Sequence, residues 1–361
     1  MSRVISYNSA ILEALDQMMT LDKKIVIIGE GVPDPEGIFG TTINLQKKFG
    51  PNRVFDSPLS ENAITGICAG LSIYGFRPVL IHQRIDFSLL SMDQIVNNIA
   101  KWHFMFNKQQ NIPIILRLII GRGWGQGPQH SQSLHNIYAS IPGLQVAMPT
   151  SPSDAKGMLI SALKQNNPTI FIEHRWLQNI KEIVPKKIYS TPLTKAKLIK
   201  RGKDFTIVCF SYMTIEALRA TKALKHLDIH CDLIDMRSVS PLDISRVLHS
   251  VTKTRKLLIA DVGHSLMSIA NELAFEINKK LFKILKSPIQ KISLPNYPAA
   301  TSHHLTKDYY PGSKEIFDII LQSEKIDFKK LNKNMKNTIM DILKPHKKPH
   351  DVPDTDFFGP F

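Results

Sequence analysis

Polar side chains that could move protons or hold a ligand recur where this sequence ends its apolar strand-like runs. They are Glu30, Glu61, the stretch from Gln83 to Phe87, and His130. Open α/β sheets bind their ligands at that edge. Glu61 is the most informative of these residues. Apart from Asp56, it is the only carboxylate between Asp56 and Leu71, in a run that otherwise reads as a small-residue helix. A charge at the mouth of such a helix is expensive unless something pairs with it, and a ring nitrogen of a cofactor would serve. Each residue also has an ordinary reading. Glu61 could simply belong to a helix cap with Ser60 or Ser57 as N-cap. His130 could be a loop histidine, Phe87 a core aromatic and Glu30 a turn residue.

The elements that must position these residues alternate along the chain. Ile11, Leu15 and Met18 recur at helical spacing and predict a helix over 7–21, followed by a strand over 24–29. A helix after Glu61, a strand over 78–82, a helix over 92–104 and a strand over 112–120 come next. A helix over 153–165 and a strand over 169–173 close the first half. Continuous apolar strands separated by helices predict a parallel α/β domain over 1–180. A Lys-rich linker spans 181–203. Strands over 205–210, 231–235 and 256–260, with helices over 214–225, 243–251 and 268–280, predict a second, smaller α/β domain over 204–323. A basic tail with an aromatic end, Asp356-Phe-Phe-Gly-Pro-Phe361, occupies 324–361, with a helix expected over 328–343 and the terminal phenylalanines expected to dock on a surface.

Composition narrows the class. The chain has 361 residues, a formal charge of +15 and 43% hydrophobic residues, values of a folded soluble protein. Its lysines are dispersed and lack the basic-aromatic interleaving of nucleic-acid modules, so neither nucleic acid nor membrane is an expected partner. Cys68, Cys209 and Cys231 have no CxxC spacing and read as core residues of a cytoplasmic protein. The sequence has no P-loop, no GxGxxG opening a helix and no HExxH. Gly121-Arg-Gly-Trp-Gly-Gln-Gly127 is glycine-rich but runs into Pro128-Gln-His rather than a helix start. His303-His304 is an adjacent pair, unsuited to one metal on a regular element.

Several ordered stretches resemble one family, over residues ~4–322. They are Lys48-Phe-Gly-Pro-Asn-Arg-Val-Phe-Asp-Ser-Pro-Leu-Ser-Glu61, Gly75-Phe-Arg-Pro78, Met92-Asp-Gln-Ile-Val-Asn-Asn-Ile-Ala-Lys101, Gln129-His-Ser-Gln-Ser133, Pro142-Gly-Leu-Gln-Val146, Asp154-Ala-Lys-Gly157, Asn167-Pro168, Asp235-Met-Arg-Ser-Val-Ser-Pro-Leu-Asp243 and Tyr309-Tyr-Pro311. The chain is similar to the β subunits of thiamine-diphosphate-dependent 2-oxoacid dehydrogenases. The resemblance implies a pyrimidine-binding domain followed by a transketolase C-terminal-type domain. It also implies an α2β2 assembly in which the α subunit holds Mg²⁺ and the diphosphate through a Gly-Asp-Gly motif. No Gly-Asp-Gly occurs here, so this chain should hold half a site and be inactive alone.

By the same resemblance, Glu61 would hydrogen-bond the pyrimidine N1′ of thiamine diphosphate, so that the 4′-nitrogen can take the C2 proton of the thiazolium. Phe87 would pack on the pyrimidine and Gln83 would lie beside it. His130 would face the substrate and relay a proton, while Glu30 would line the passage between paired sites. Backbone carbonyls of Ile114, Ala162, Gln165 and Asn167 would bind potassium. The departures are Ile81-His82-Gln83-Arg84 after the third strand, Leu90, Arg122 in the glycine-rich loop and Asp261-Val-Gly-His-Ser265. Arg84 or Arg122 could read a substrate carboxylate or phosphate. These departures put delivery to a lipoyl acyltransferase core in question. A transketolase-like subunit serving another acceptor and a non-catalytic assembly subunit are the alternatives.

Overall fold

The computed structural model describes residues 2–123 and 125–344. Trp124 and the aromatic end expected to dock, Asp356 to Phe361, lie outside the described residues. The described chain forms two compact units, one of residues 2–123 and 129–193, the other of 125–128 and 194–344.

The first unit is a parallel sheet covered by helices. Its strands are β1 (Ser2–Ser6), β2 (Ile25–Ile28), β3 (Val54–Phe55), β4 (Arg77–His82), β5 (Ile115–Ile120), β6 (Gln145–Ala147), β7 (Thr169–His174) and β8 (Lys181–Pro185). The sheet of this unit runs β6-β7-β5-β4-β2-β3, all parallel, while β1 and β8 form a separate antiparallel pair. Every residue of β2, β5 and β7 is buried, as expected of strands covered on both faces. The helix Tyr7–Leu21 buries Ile11, Leu15 and Met18, the face its spacing predicts.

Two expected elements differ. The strand expected from residue 112 begins at Ile115, because Pro113 has no N–H to give the ladder. The helix expected over 92–104 is instead a π-wound segment, Gln94–Ile99, and a short helix, Trp102–Met105. Asn97 and Asn98 there donate their side-chain amides to Asp93 and Gln94 one turn back, at 2.8 and 3.0 Å.

The second unit carries β9 (Lys197–Lys200), β10 (Phe205–Cys209), β11 (Cys231–Asp235), β12 (Ser238–Ser240), β13 (Leu257–His264) and β14 (Gln290–Leu294). Its sheet runs β14-β13-β10-β11-β9, parallel except for the edge strand β9. The stretch 181–203, read as a linker, thus holds β8 and β9, one in each unit. The helix expected over 328–343 spans Lys333–Leu343, opened by an Asn332 cap that accepts from Met335 N at 2.8 Å. Ser313 Oγ donates to the last carbonyl of that helix, Leu343 O, at 3.2 Å.

One ion pair ties the first sheet to its loops. Arg117 on β5 and Glu173 on β7 have no solvent exposure and meet in a fork, Nε to Oε1 at 2.6 Å and Nη2 to Oε2 at 3.0 Å. Arg117 Nη2 also donates to Thr41 Oγ1 at 3.0 Å. Removing one partner of a buried pair strands the other charge, at a cost of about 3–5 kcal/mol. Glu173→Leu should therefore lower stability by that amount in urea denaturation, and adding Arg117→Met should recover most of it. A single mutant within about 1 kcal/mol of wild type would show that the pair is dispensable.

Candidate functional site

The site forms where β2, β4 and β5 end. Glu30 follows β2, and Gly31 N donates to Asp56 Oδ1 at 2.9 Å, closing the turn after β3 onto the turn after β2. Glu61 is the first residue of the helix Glu61–Ile73 and is half-buried; Ser60, at the N-cap, makes no side-chain cap bond. The three carboxylates share one neighbourhood. Burial pushes the Glu30 carboxyl above its usual range, and Glu61 and then Asp56 push it further. A carboxylate beside two others resists ionisation.

Hydrogen bonds extend that corner to the other predicted residues. Gln83 Nε2 donates to Glu30 O at 3.0 Å. Thr65 Oγ1, one turn along the Glu61 helix, donates to Ser91 Oγ at 2.9 Å, fixing the helix to the 3-10 turn Phe87–Ser91. Phe87 opens that turn and meets His130 edge to face, ring centroids 5.3 Å apart. Asp86 Oδ1 accepts from Gln132 Nε2 at 2.7 Å, holding the Gln129-His-Ser-Gln132 segment beside Phe87. Gln83 is thus bonded to Glu30, which feels the Glu61 charge, while Phe87 and His130 pack together on the turn to which the Glu61 helix is tied.

Arg84 and Arg122 lie elsewhere along the same edge. Arg84 is buried, donates Nη1 to Gln83 O at 2.7 Å and sits 5.4 Å from the Phe39 ring centroid. Arg122 is buried, and its carbonyl accepts from Trp176 Nε1 at 2.8 Å. Three of the four carbonyls assigned to potassium already accept a hydrogen bond. Ile114 O accepts from Thr169 N at 2.9 Å, Gln165 O from Arg77 Nη1 at 2.7 Å, and Asn167 O from Thr169 Oγ1 at 3.3 Å.

Comparison with known proteins fits this architecture. Residues 3–180 match the model of the transketolase pyrimidine-binding domain, and 194–316 that of the transketolase C-terminal domain. The acetoin:2,6-dichlorophenolindophenol oxidoreductase subunit beta of Cupriavidus necator is 36% identical over 326 residues, 88% of this chain and 96% of that protein. The pyruvate dehydrogenase E1 component subunit beta of Rickettsia felis is 32% identical over 316 residues, 88% of this chain and 97% of that protein. The chain belongs to the β-subunit family of the thiamine-diphosphate-dependent 2-oxoacid dehydrogenases. A solved structure described as a split gene transketolase, inactive beta4 tetramer, shares the fold, with TM-score 0.70, 20% identity and coverage of 89% of this chain and 99% of that one.

Some features of this β subunit escaped the sequence reading. Asp86 lies inside the Gln83 to Phe87 stretch, two residues after Arg84, but nothing in the pattern separates it from its neighbours. Phe39 sits in a loop with no periodicity and gave no signal. The helix of Glu61 is buried on one face only, through Thr65, Cys68, Ala69 and Ser72. Among the described residues, no helix is long and apolar enough to cross a membrane.

His82, at the end of β4, supplies a pH test of this edge. It is buried, its Nε2 has no hydrogen-bond partner, and burial lowers its pKa from 6.5 to about 4. Below pH 6.5 the unfolded chain gains a proton that the folded chain refuses. Stability is therefore full above pH 6.5 and falls as pH drops toward 4, by roughly 3 kcal/mol in total. His82→Leu should flatten that limb of the stability curve in urea titrations between those pH values; an unchanged limb would assign the acid sensitivity to other groups.

Proposed function

We propose that this chain is the β half of an α2β2 thiamine-diphosphate enzyme that decarboxylates a 2-oxoacid and hands the acyl unit to an acceptor. One observation carries the reading. Glu61 starts a helix in the field of Glu30, and the outer face of that helix is apolar and uncovered. Ala63, Ile67, Gly70 and Tyr74 repeat at helical spacing along it, Ile67 56% and Tyr74 86% exposed, and a Cβ at Gly70 would meet nothing within 4 Å. Leu59, just before the helix, is 80% exposed. A small-residue apolar stripe is a surface for close approach of another chain. Its place beside Glu61 supports an α subunit that completes the site.

The residues present suit the cofactor's pyrimidine half. Glu61 would hold the ring nitrogen, Phe87 would pack on the ring, and Gln83 would lie alongside. When bound, thiamine diphosphate supplies the nucleophilic carbon that attacks the oxoacid carbonyl and takes up the electrons left as CO₂ departs. Glu61 keeps a proton at the pyrimidine nitrogen. His130, braced against Phe87, gives or takes a proton on the substrate side. Glu30, its carboxyl pushed above the usual range by burial and by Glu61, stands beside Glu61. The diphosphate and Mg²⁺ fall to the partner, since this sequence contains no Gly-Asp-Gly. The carbonyls of Ile114, Ala162, Gln165 and Asn167 form the proposed potassium site, bracing the helix Pro152–Lys164 against β5 and β7. A carbonyl oxygen that accepts one hydrogen bond keeps a second lone pair for such an ion. A lipoyl acyltransferase core is one acceptor consistent with this reading.

The test is the reconstituted complex. Co-purified α and β, with thiamine diphosphate and Mg²⁺, should release CO₂ from at least one 2-oxoacid of a panel. Glu61→Ala should cut turnover by at least ~10²-fold while leaving α bound, the scale of a lost acid–base group. Unchanged turnover in that variant would favour a non-catalytic assembly role. Ile67→Asp should do the reverse, abolishing co-elution with α on gel filtration while the β chain keeps its circular dichroism. Intact co-elution would move the α interface off this helix.

A further inference from the structure

The 3-10 turn Phe87–Ser91 and its N-cap Asp86 carry buried polar side chains that the proposed chemistry does not use. Asp86 and Ser88 flank Phe87 and are 9% and 0% exposed, whereas Phe87 and His130 are only half-buried. A buried carboxyl or hydroxyl costs free energy unless it is bonded. The partners of these two residues therefore show what they are there to hold.

Asp86 reaches the histidine segment. Its Oδ1 accepts from Gln132 Nε2 at 2.7 Å and from Gln132 N at 3.4 Å. One oxygen thus receives both the side chain and the backbone of the residue two places after His130. Burial pushes the Asp86 carboxyl above its usual range, while the bonds from Gln132 and the charge of Arg84 pull it back. The clamp itself needs only an acceptor oxygen, which the carboxyl offers in either protonation state. Ser88 reaches the helix that follows, His135–Ala139. Its hydroxyl donates to Ile85 O and is bonded to Tyr138 Oη. Ser88 has one proton and gives it to Ile85, so Tyr138, which has no solvent exposure, is the donor of the second bond.

The two clamps straddle one contact. Asp86, Phe87 and Ser88 are consecutive, and Gln132, His130 and Tyr138 answer them from a single segment of chain. Phe87 and His130 meet between the clamps, edge to face, with ring centroids 5.3 Å apart. The turn is fixed from two further directions. Ile85 N donates to Ile119 O at 2.9 Å, joining its start to β5. Thr65 Oγ1 donates to Ser91 Oγ at 2.9 Å, joining its end to the helix that Glu61 opens. The Glu61 helix and the His130 segment are therefore both fastened to one five-residue turn and its cap.

We propose that Asp86 and Ser88 are positioning residues, which hold His130 in place against Phe87 and so fix its spacing from Glu61. Their catalytic meaning rests on the functional reading above and deepens it. In that reading Glu61 keeps a proton at the cofactor ring, and His130 moves one on the substrate side. Two such groups work on one bound molecule only if their separation is set, because a misplacement of about 1 Å can cost ~10²-fold in rate. Asp86 and Ser88 act through His130 and need not touch the substrate.

The test uses the αβ complex with thiamine diphosphate and Mg²⁺. Gln132→Ala and Asp86→Ala should each lower kcat for CO₂ release by about 10–100-fold. Asp86→Asn keeps an acceptor oxygen and should recover most of that loss. Tyr138→Phe deletes only the second clamp and should give a smaller loss of the same kind; an unchanged kcat there would overturn the role of Ser88. Deuterium exchange at C2 of bound thiamine diphosphate, which depends on Glu61, should change less than about threefold in every variant. In a His130→Ala background the same substitutions should cost less than about threefold more, because residues that act through one group are not additive. Losses that multiply in that background, or an Asp86→Asn complex no better than Asp86→Ala, would overturn the positioning role. Hydrogen-exchange mass spectrometry of the complex without cofactor reads the clamp apart from turnover. Gln132→Ala should speed amide exchange in residues 129–134 and leave 61–73 unchanged. That result would uphold the clamp even if the wild-type complex released no CO₂ and the functional reading failed. Unchanged exchange in 129–134 would overturn it.

Discussion

The Arg117–Glu173 pair is the constraint on which the ends of the first sheet depend. In the register of β5 and β7, Arg117 faces Phe171 and Ile119 faces Glu173, so the pair bridges diagonally across neighbouring strands. Water reaches neither charge, and the fork geometry satisfies both carboxylate oxygens. Such a pair adds little stability over a well-packed apolar substitute, but it permits few registers. The third contact, to Thr41, pins the loop that carries Phe39. Strand register and the loop over the β4 edge are thereby set by one guanidinium. The loops leading to His130 and Arg175 begin from those same two strands.

A second constraint is electrostatic. Glu30, Asp56 and Glu61 converge at the ends of β2 and β3, and like charges at close range cannot all ionise cheaply. The fold accepts this cost at one corner and buries the Arg84 guanidinium at the neighbouring β4 edge. Between them run Gln83, bonded to Glu30 O, and Arg84, bonded to Gln83 O. Two adjacent residues thus join the carboxylate corner to the buried guanidinium of Arg84.

Much of this was legible in the sequence because it depends on local pattern. The all-apolar runs of β2 and β5 announce strands buried on both faces, and the spacing of Ile11, Leu15 and Met18 announces the face of the first helix. Glu61 stood out as a charge among small residues. What pattern could not give was anything set by non-local pairing. Two-residue β3 is too short to carry a period and exists because Arg53 O accepts from Ile27 N at 2.8 Å. β8 and β9 are Lys-rich and half-exposed, so their composition reads as a linker while their partners make them strands. The π-wound segment at Gln94–Ile99 retains helical amphipathicity, with Ile95 and Ile99 buried, and no spacing rule distinguishes it from an α-helix. Asp86 and Phe39 became visible only through what they touch, Gln132 for one and two guanidinium groups for the other.

The helix Glu61–Ile73 draws these observations together. Its first residue belongs to the carboxylate corner, its inner face locks to the Phe87 turn through Thr65 and Ser91, and its outer face is an apolar stripe open to solvent in the isolated chain. A rigid helix transmits position along its length. A partner seated on Ala63, Ile67 and Gly70 would therefore also fix where the Glu61 carboxylate stands, and would raise the local cost of its charge by excluding water. On this view assembly supplies more than the missing phosphate contacts. It would also supply burial that this chain, with Glu61 only half-covered, leaves to another subunit.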